Sequence, residues 1–64
     1  MKRHALISHL KACNCQLLRE GSRHSIWICL NTNETSAVPR HAEIVDDLAR
    51  KICKDLGIDD IKLK

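Results

Sequence analysis

The chain has 64 residues, 30% of them charged, a formal net charge of +3 and one aromatic residue, Trp27. A single domain of this size, residues 1–64, buries only about 60% of its unfolded surface, which excludes a large enclosed active site and leaves a shallow surface one. No apolar run approaches the roughly 18 residues of a membrane helix and no signal-peptide pattern is visible, so the expectation is a cytoplasmic protein with no membrane partner.

In chain order, Lys2 to Cys13 reads as a helix. Leu6, Leu10 and Cys13 fall at i, i+4 and i+7, with Ala5 and Ile7 widening the stripe and Lys2, Arg3, His4, Lys11 and His9 left for the outer face. Asn14 suits a left-handed C-cap. Cys15 to Arg19 follows as a short strand. Gly21-Ser22 is turn chemistry, with Gly21 free to take positive φ. The alternating run from His24 to about Asn31 is the best strand in the chain. Asn31-Thr32-Asn33-Glu34 reads as a hairpin connection, and Thr35 to Val38 as a third strand ending at Pro39, which cannot donate to a ladder. Ile44, Leu48, Ile52 and Leu56, with Val45, Ala49 and Cys53 as the adjacent row, make a second helix. Glu43, Asp46 and Asp47 stand in its first turns and Arg50, Lys51 and Lys54 toward its end, as the helix dipole prefers, and Gly57 closes it. Residues 58–64 form a tail, with room for one more turn at Asp59-Asp60-Ile61.

The expected fold is α+β, in the order α-β-β-β-α. Both helices lie on one face of a three-stranded antiparallel sheet. This is the arrangement of the double-stranded-RNA-binding domain, and architecture alone assigns no function.

Charge and cysteines narrow the partners. Residues 1–30 carry five basic side chains against Glu20 alone, whereas residues 31–64 carry six basic and seven acidic ones. A basic half suits a polyanion, nucleic acid above all; a solvated face of an ordinary protein is the competing account. The four cysteines form no C-x-x-C, so the spacing of a zinc ribbon is missing and no metal is expected. Cys29 and Cys53, each inside an apolar pattern, read as small buried hydrophobes. Trp27 is no stacking platform by itself and suits core or interface packing.

His24 stands where the Gly21-Ser22 loop becomes a rigid strand, a common seat for reactive side chains. Three segments then point to a family: Gly21-Ser22-Arg23-His24 opening a strand, Val38-Pro39-Arg40-His41 closing the next, and Lys51-Ile52-Cys53-Lys54-Asp55-Leu56-Gly57-Ile58. In this order and separation they resemble the HicA toxins, small mRNA interferases of toxin–antitoxin pairs with a double-stranded-RNA-binding-like fold. The resemblance runs from about Arg3 to Ile58. It implies that His24 is catalytic, that mRNA is the substrate, and that a HicB-like antitoxin is the protein partner. The chain departs from many members at Asn14-Cys15, where they have Gly-Phe, and at Asp47-Leu48-Ala49, where they have Gly-Thr-Leu. Neither departure touches His24.

The chemistry asks little of the protein. RNA carries its own nucleophile, the 2′-OH, so a catalyst has only to move protons and stabilise phosphoryl charge. Histidine, with an unperturbed pKa of about 6.5, suits the proton transfers. Arg19, Arg23 and Arg40 are candidate phosphate clamps. Ser22, Lys2 and Arg3 complete the candidate RNA contacts. His41 either begins the second helix or supplies a second acid or base. The expected activity is a metal-independent endoribonuclease with no cofactor. The alternatives are a module that binds double-stranded RNA and cuts nothing, and, behind it, a zinc-bound interaction module.

Overall fold

The computed structural model describes residues 1–60. Its elements are α1 (Arg3–Ala12), β1 (Cys15–Glu20), β2 (His24–Cys29), β3 (Thr35–Pro39) and α2 (Asp46–Leu56), the expected α-β-β-β-α order. The strands form one antiparallel meander with β2 in the centre.

The alternation of β2 sets the two layers. Ser25, Trp27 and Cys29 are buried, while His24, Ile26 and Ile28 turn to the other face, as the two-residue period of a strand requires. Cys15 from β1 and Ser36 and Val38 from β3 join the buried side. Leu6 and Leu10 of α1 and Ala49, Ile52, Cys53 and Leu56 of α2 cover it. Both helices therefore lie on one sheet face, and the opposite face is left open. Burying each large aliphatic side chain of this core stabilises the fold by about 1.5–3 kcal/mol. Trp27 is 5% exposed and belongs to this core. Its indole Nε1 finds no hydrogen-bond partner among the described residues. Burial, and then the neighbouring Cys29 thiol, push the Cys15 pKa up to about 12, so this thiol stays protonated and acts as an apolar filler.

The element ends differ from the sequence expectation for local reasons. The second helix starts at Asp46, because the residues before it are extended: Ile44 N–H donates to the Met1 carbonyl at 2.8 Å, Arg3 N–H to the Ala42 carbonyl at 2.8 Å, and Lys2 bridges to Glu43. Ile44 still reaches the core, but Val45, expected in the apolar row, is 69% exposed as the extended residue before the helix. The first helix covers Arg3–Ala12, and Asn14 just beyond it is left-handed as expected, at φ 65°. β1 extends one residue further than expected, to Glu20, and β3 includes Pro39. β2 ends at Cys29 rather than near Asn31, because the chain turns there. Asn33 N–H donates to the Cys29 carbonyl at 2.8 Å with Asn33 at φ 59°. Asp59 and Asp60 form no further turn, and the remainder of the expected tail lies outside the described residues.

Gly57 ends α2 at φ 70°, where a Cβ would meet Thr32 Cγ2 at 3.2 Å. The same threonine donates its hydroxyl to the Leu56 carbonyl at 2.8 Å. An L-residue in the left-handed region costs about 1–2 kcal/mol. Gly57→Ala should lower unfolding stability by that amount in urea titrations followed by Trp27 fluorescence. An unchanged midpoint would contradict the cap.

Two carboxylates tie stability to acid pH. The hydrogen bond from Lys2, at 2.8 Å, holds Glu43 below its usual 4.5. That from Lys51, at 2.9 Å, holds Asp55 below its usual 3.8. Because the folded values are depressed, their contribution is complete above the unfolded values and is lost as pH falls through the folded ones. The unfolding midpoint should stay level near neutral pH and drop in acid. The drop should be shallower in a Glu43→Gln, Asp55→Asn variant; an identical profile would rule these two groups out. Both pairs are solvent-exposed, so the effect is modest.

Candidate functional site

The site is built where β1 ends, β2 begins and β3 ends, at one end of the sheet. Gly21 makes the β1–β2 connection tight: its N–H donates to the His24 carbonyl at 2.7 Å. A Cβ on Gly21 would sit 2.9 Å from that same oxygen. The glycine is therefore required by close approach of the backbone and not by positive φ, which Gly21 does not adopt. His24 opens the central strand directly after this turn and pairs with Pro39 of β3. Its imidazole is exposed on the open sheet face and has no hydrogen-bond partner among the described residues.

A bulge in β1 decides what surrounds it. Leu17 pairs with Trp27, but Arg19 pairs with Ile26, so Leu18 is an extra residue in β1. Were the bulge absent and Leu18 paired with Ile26, Arg19 would oppose Ser25 and point toward the helices. With it Arg19 shares the open face with Ile26, and Glu20 is turned to the Ser25 side.

Two shallow depressions flank His24. One, of about 550 Å³, is lined by Ser22, Arg23, His24, Pro39, Arg40 and His41. The other, of about 360 Å³, is lined by Arg19, Gly21, Ser22, Arg23, His24 and Ile26. Five of the expected residues (Arg19, Ser22, Arg23, Arg40 and His41) thus gather around His24. His41 lies before α2 and lines the same depression as His24, so it is not simply the helix start.

The arginines are not equivalent. Arg19 and Arg23 are exposed and make no hydrogen bond or ion pair among the described residues, leaving their guanidinium groups open to an anion. Arg40 is engaged: its Nη1 donates to the Gly21 carbonyl at 3.0 Å and its Nη2 pairs with Glu20 at 3.1 Å. Arg3 is turned inward, with Nε donating to the Pro39 carbonyl at 2.8 Å and Nη2 to Ser25 Oγ at 3.1 Å. Lys2 pairs with Glu43. Neither Lys2 nor Arg3 lines either depression. Helix-surface charge pattern alone suggested them as RNA contacts, and it could not show these partners.

The sequence reading missed Glu20 and Ser25. Glu20 was visible as the one acidic residue in the basic half, and Ser25 as a hydroxyl at a core-facing strand position. Among the described residues no three His, Cys, Asp or Glu side chains gather as a metal-ligand set, and no helix is long and apolar enough to cross a membrane.

Among the described residues, the surface so formed has an imidazole and two guanidinium groups without protein partners, a second imidazole in the same depression, and a hydroxyl. It is suited to an extended anion with proton-transfer chemistry along it. The family model of the HicA toxin of bacterial toxin–antitoxin systems matches residues 3–58. Comparison with curated proteins and with solved structures gave no significant match. The matched stretch contains every helix and strand of the described residues and both depressions around His24, and the chain belongs to the HicA toxins, a family whose members act within toxin–antitoxin pairs.

Proposed function

We propose that this HicA-family chain is an endoribonuclease that cuts mRNA by activating the RNA's own 2′-OH. The observation that carries the proposal is His24, an exposed imidazole without a competing hydrogen bond among the described residues, set between two depressions lined by Arg19, Arg23, Ser22 and His41. In the reaction one imidazole takes the 2′-OH proton as the 2′-oxygen attacks phosphorus. The bond from phosphorus to the 5′-oxygen breaks, and that leaving oxygen receives a proton. The products are a 2′,3′-cyclic phosphate and a 5′-hydroxyl. Arg19 and Arg23 stabilise the charge that grows on the phosphoryl oxygens. The depression shared with His24 supports His41 as the second proton carrier.

The depressions around His24 are shallow and open among the described residues. Neutralisation then falls to a partner that covers the surface. Membership of a toxin–antitoxin family supports a HicB-like antitoxin in that role, laid over the basic face and His24.

The test is one transcript incubated with the purified protein in EDTA, followed by analysis of the ends. Fragments with 2′,3′-cyclic phosphate and 5′-hydroxyl ends are expected. Fragments with 5′-phosphate ends would establish water as the nucleophile and overturn the mechanism. Binding of the RNA with no cutting would overturn the activity and leave a binding module.

A further inference from the structure

Arg40, a candidate phosphate clamp by sequence, is spent on holding the protein together. So is Arg3, at the start of α1. Between them runs a continuous chain of hydrogen bonds. Arg3 Nη2 donates to Ser25 Oγ at 3.1 Å, Ser25 Oγ donates to Glu20 Oε1 at 2.5 Å, and Arg40 Nη2 meets Glu20 Oε2 at 3.1 Å. The two guanidinium groups also hold main-chain oxygens, Arg3 that of Pro39 at 2.8 Å and Arg40 that of Gly21 at 3.0 Å. Gly21 begins the turn that presents His24, and Pro39 begins the segment that presents His41.

Glu20 is the centre of this arrangement, because each of its oxygens serves a different partner. Ser25 behind it is 1% exposed, so the chain is anchored in the core at this link. The Arg40–Glu20 pair itself is about half exposed, and a pair of that kind contributes little to stability. Its value is geometric: it sets where the His24 turn stands relative to the His41 segment. The β1 bulge makes this possible, since in a regular ladder with Leu18 paired to Ile26 the side chain of Glu20 would face the open side, opposite His24.

We propose that Glu20 is a positioning residue that, through Arg40 and Ser25, holds the His24 turn and the His41 segment in the geometry needed for catalysis. As a statement about catalysis this rests on the ribonuclease reading above. Misplacing a catalytic group by about 1 Å can cost on the order of 10²-fold in rate. Glu20→Ala should therefore slow single-turnover cleavage of a transcript by about 10–100-fold. RNA affinity, measured in the His24→Ala background, should be kept or tightened, because a negative charge has left a basic surface. Arg40→Ala should slow cleavage in the same way, and the double variant should be no slower than either single one, as expected for two members of one unit. Glu20→Gln, which can still accept from Ser25, should recover part of the rate. Wild-type rates in Glu20→Ala, or losses that multiply in the double variant, would overturn the proposal.

Amide hydrogen exchange separates failure of the lock from failure of the nuclease reading. Glu20→Ala and Glu20→Gln should keep the buried Trp27 fluorescence, while the Gly21 amide exchanges about tenfold faster or more in Glu20→Ala. If the wild type cuts nothing but this acceleration is seen, the ribonuclease reading fails and the lock stands. Unchanged Gly21 protection would remove the lock whatever the activity.

Discussion

His24→Ala is expected to reduce cleavage of RNA by about 10²–10⁴-fold, the usual contribution of a positioned acid or base. The site geometry isolates the effect. The His24 side chain is exposed and without a hydrogen-bond partner among the described residues, so its removal opens no cavity and breaks no internal bond. Arg19 and Arg23 remain to hold phosphate, so RNA affinity should change little and should stay salt-sensitive. The measurement is single-turnover cleavage of one transcript in EDTA, beside a gel-shift titration of the same RNA. A His24→Ala protein that cuts as fast as wild type would remove His24 from the chemistry. If neither protein cuts and both shift the RNA alike, the site is a binding surface and the nuclease reading falls.

The second large effect concerns stability. Leu56→Ala removes a side chain with no exposed surface from the end of α2, where it packs within the single core. Such a substitution costs about 2–5 kcal/mol, the lost transfer energy plus the cavity. A domain of this length has a total stability of only about 3–10 kcal/mol. Leu56→Ala should therefore leave a large fraction of molecules unfolded at 37 °C. Urea titration followed by Trp27 fluorescence measures it, because the lone tryptophan is buried and reports global unfolding. Val45→Ala is the control, since Val45 is 69% exposed and should shift the midpoint by no more than about 0.5 kcal/mol. Equal shifts for the two variants would mean that the core has been misassigned.

The open sheet face carries half-buried Ile26 beside His24 and Arg19, with half-buried Ile28 further along the same strand, so apolar and charged groups stand together on it. The lock through Glu20 keeps that surface in one shape without a large enclosing structure around it.

How much of this protein was legible in its sequence follows from the range of the forces involved. Periodicity is a local signal, and it determined the two helices, the three strands, their order and most of the core: Leu6, Leu10, Trp27, Cys29, Ile52, Cys53 and Leu56 all lie where their spacing put them. Turn chemistry is local too, and Asn14 and Gly57 take the left-handed conformations their types suggest. His24 could be singled out because its loop-to-strand position is written in adjacent residues. What depends on pairing between distant segments could not be read. The extra residue Leu18 in β1 is invisible until register with β2 is known, yet it turns Arg19 toward His24 and Glu20 toward Ser25. The start of α2 at Asp46 depends on main-chain bonds between residues 42–44 and 1–3, far apart in the chain. The roles of the arginines diverge for the same reason. Sequence records a guanidinium's charge, but only tertiary structure decides whether its hydrogen bonds go to neighbouring protein oxygens, as at Arg3 and Arg40, or find no protein partner among the described residues, as at Arg19 and Arg23.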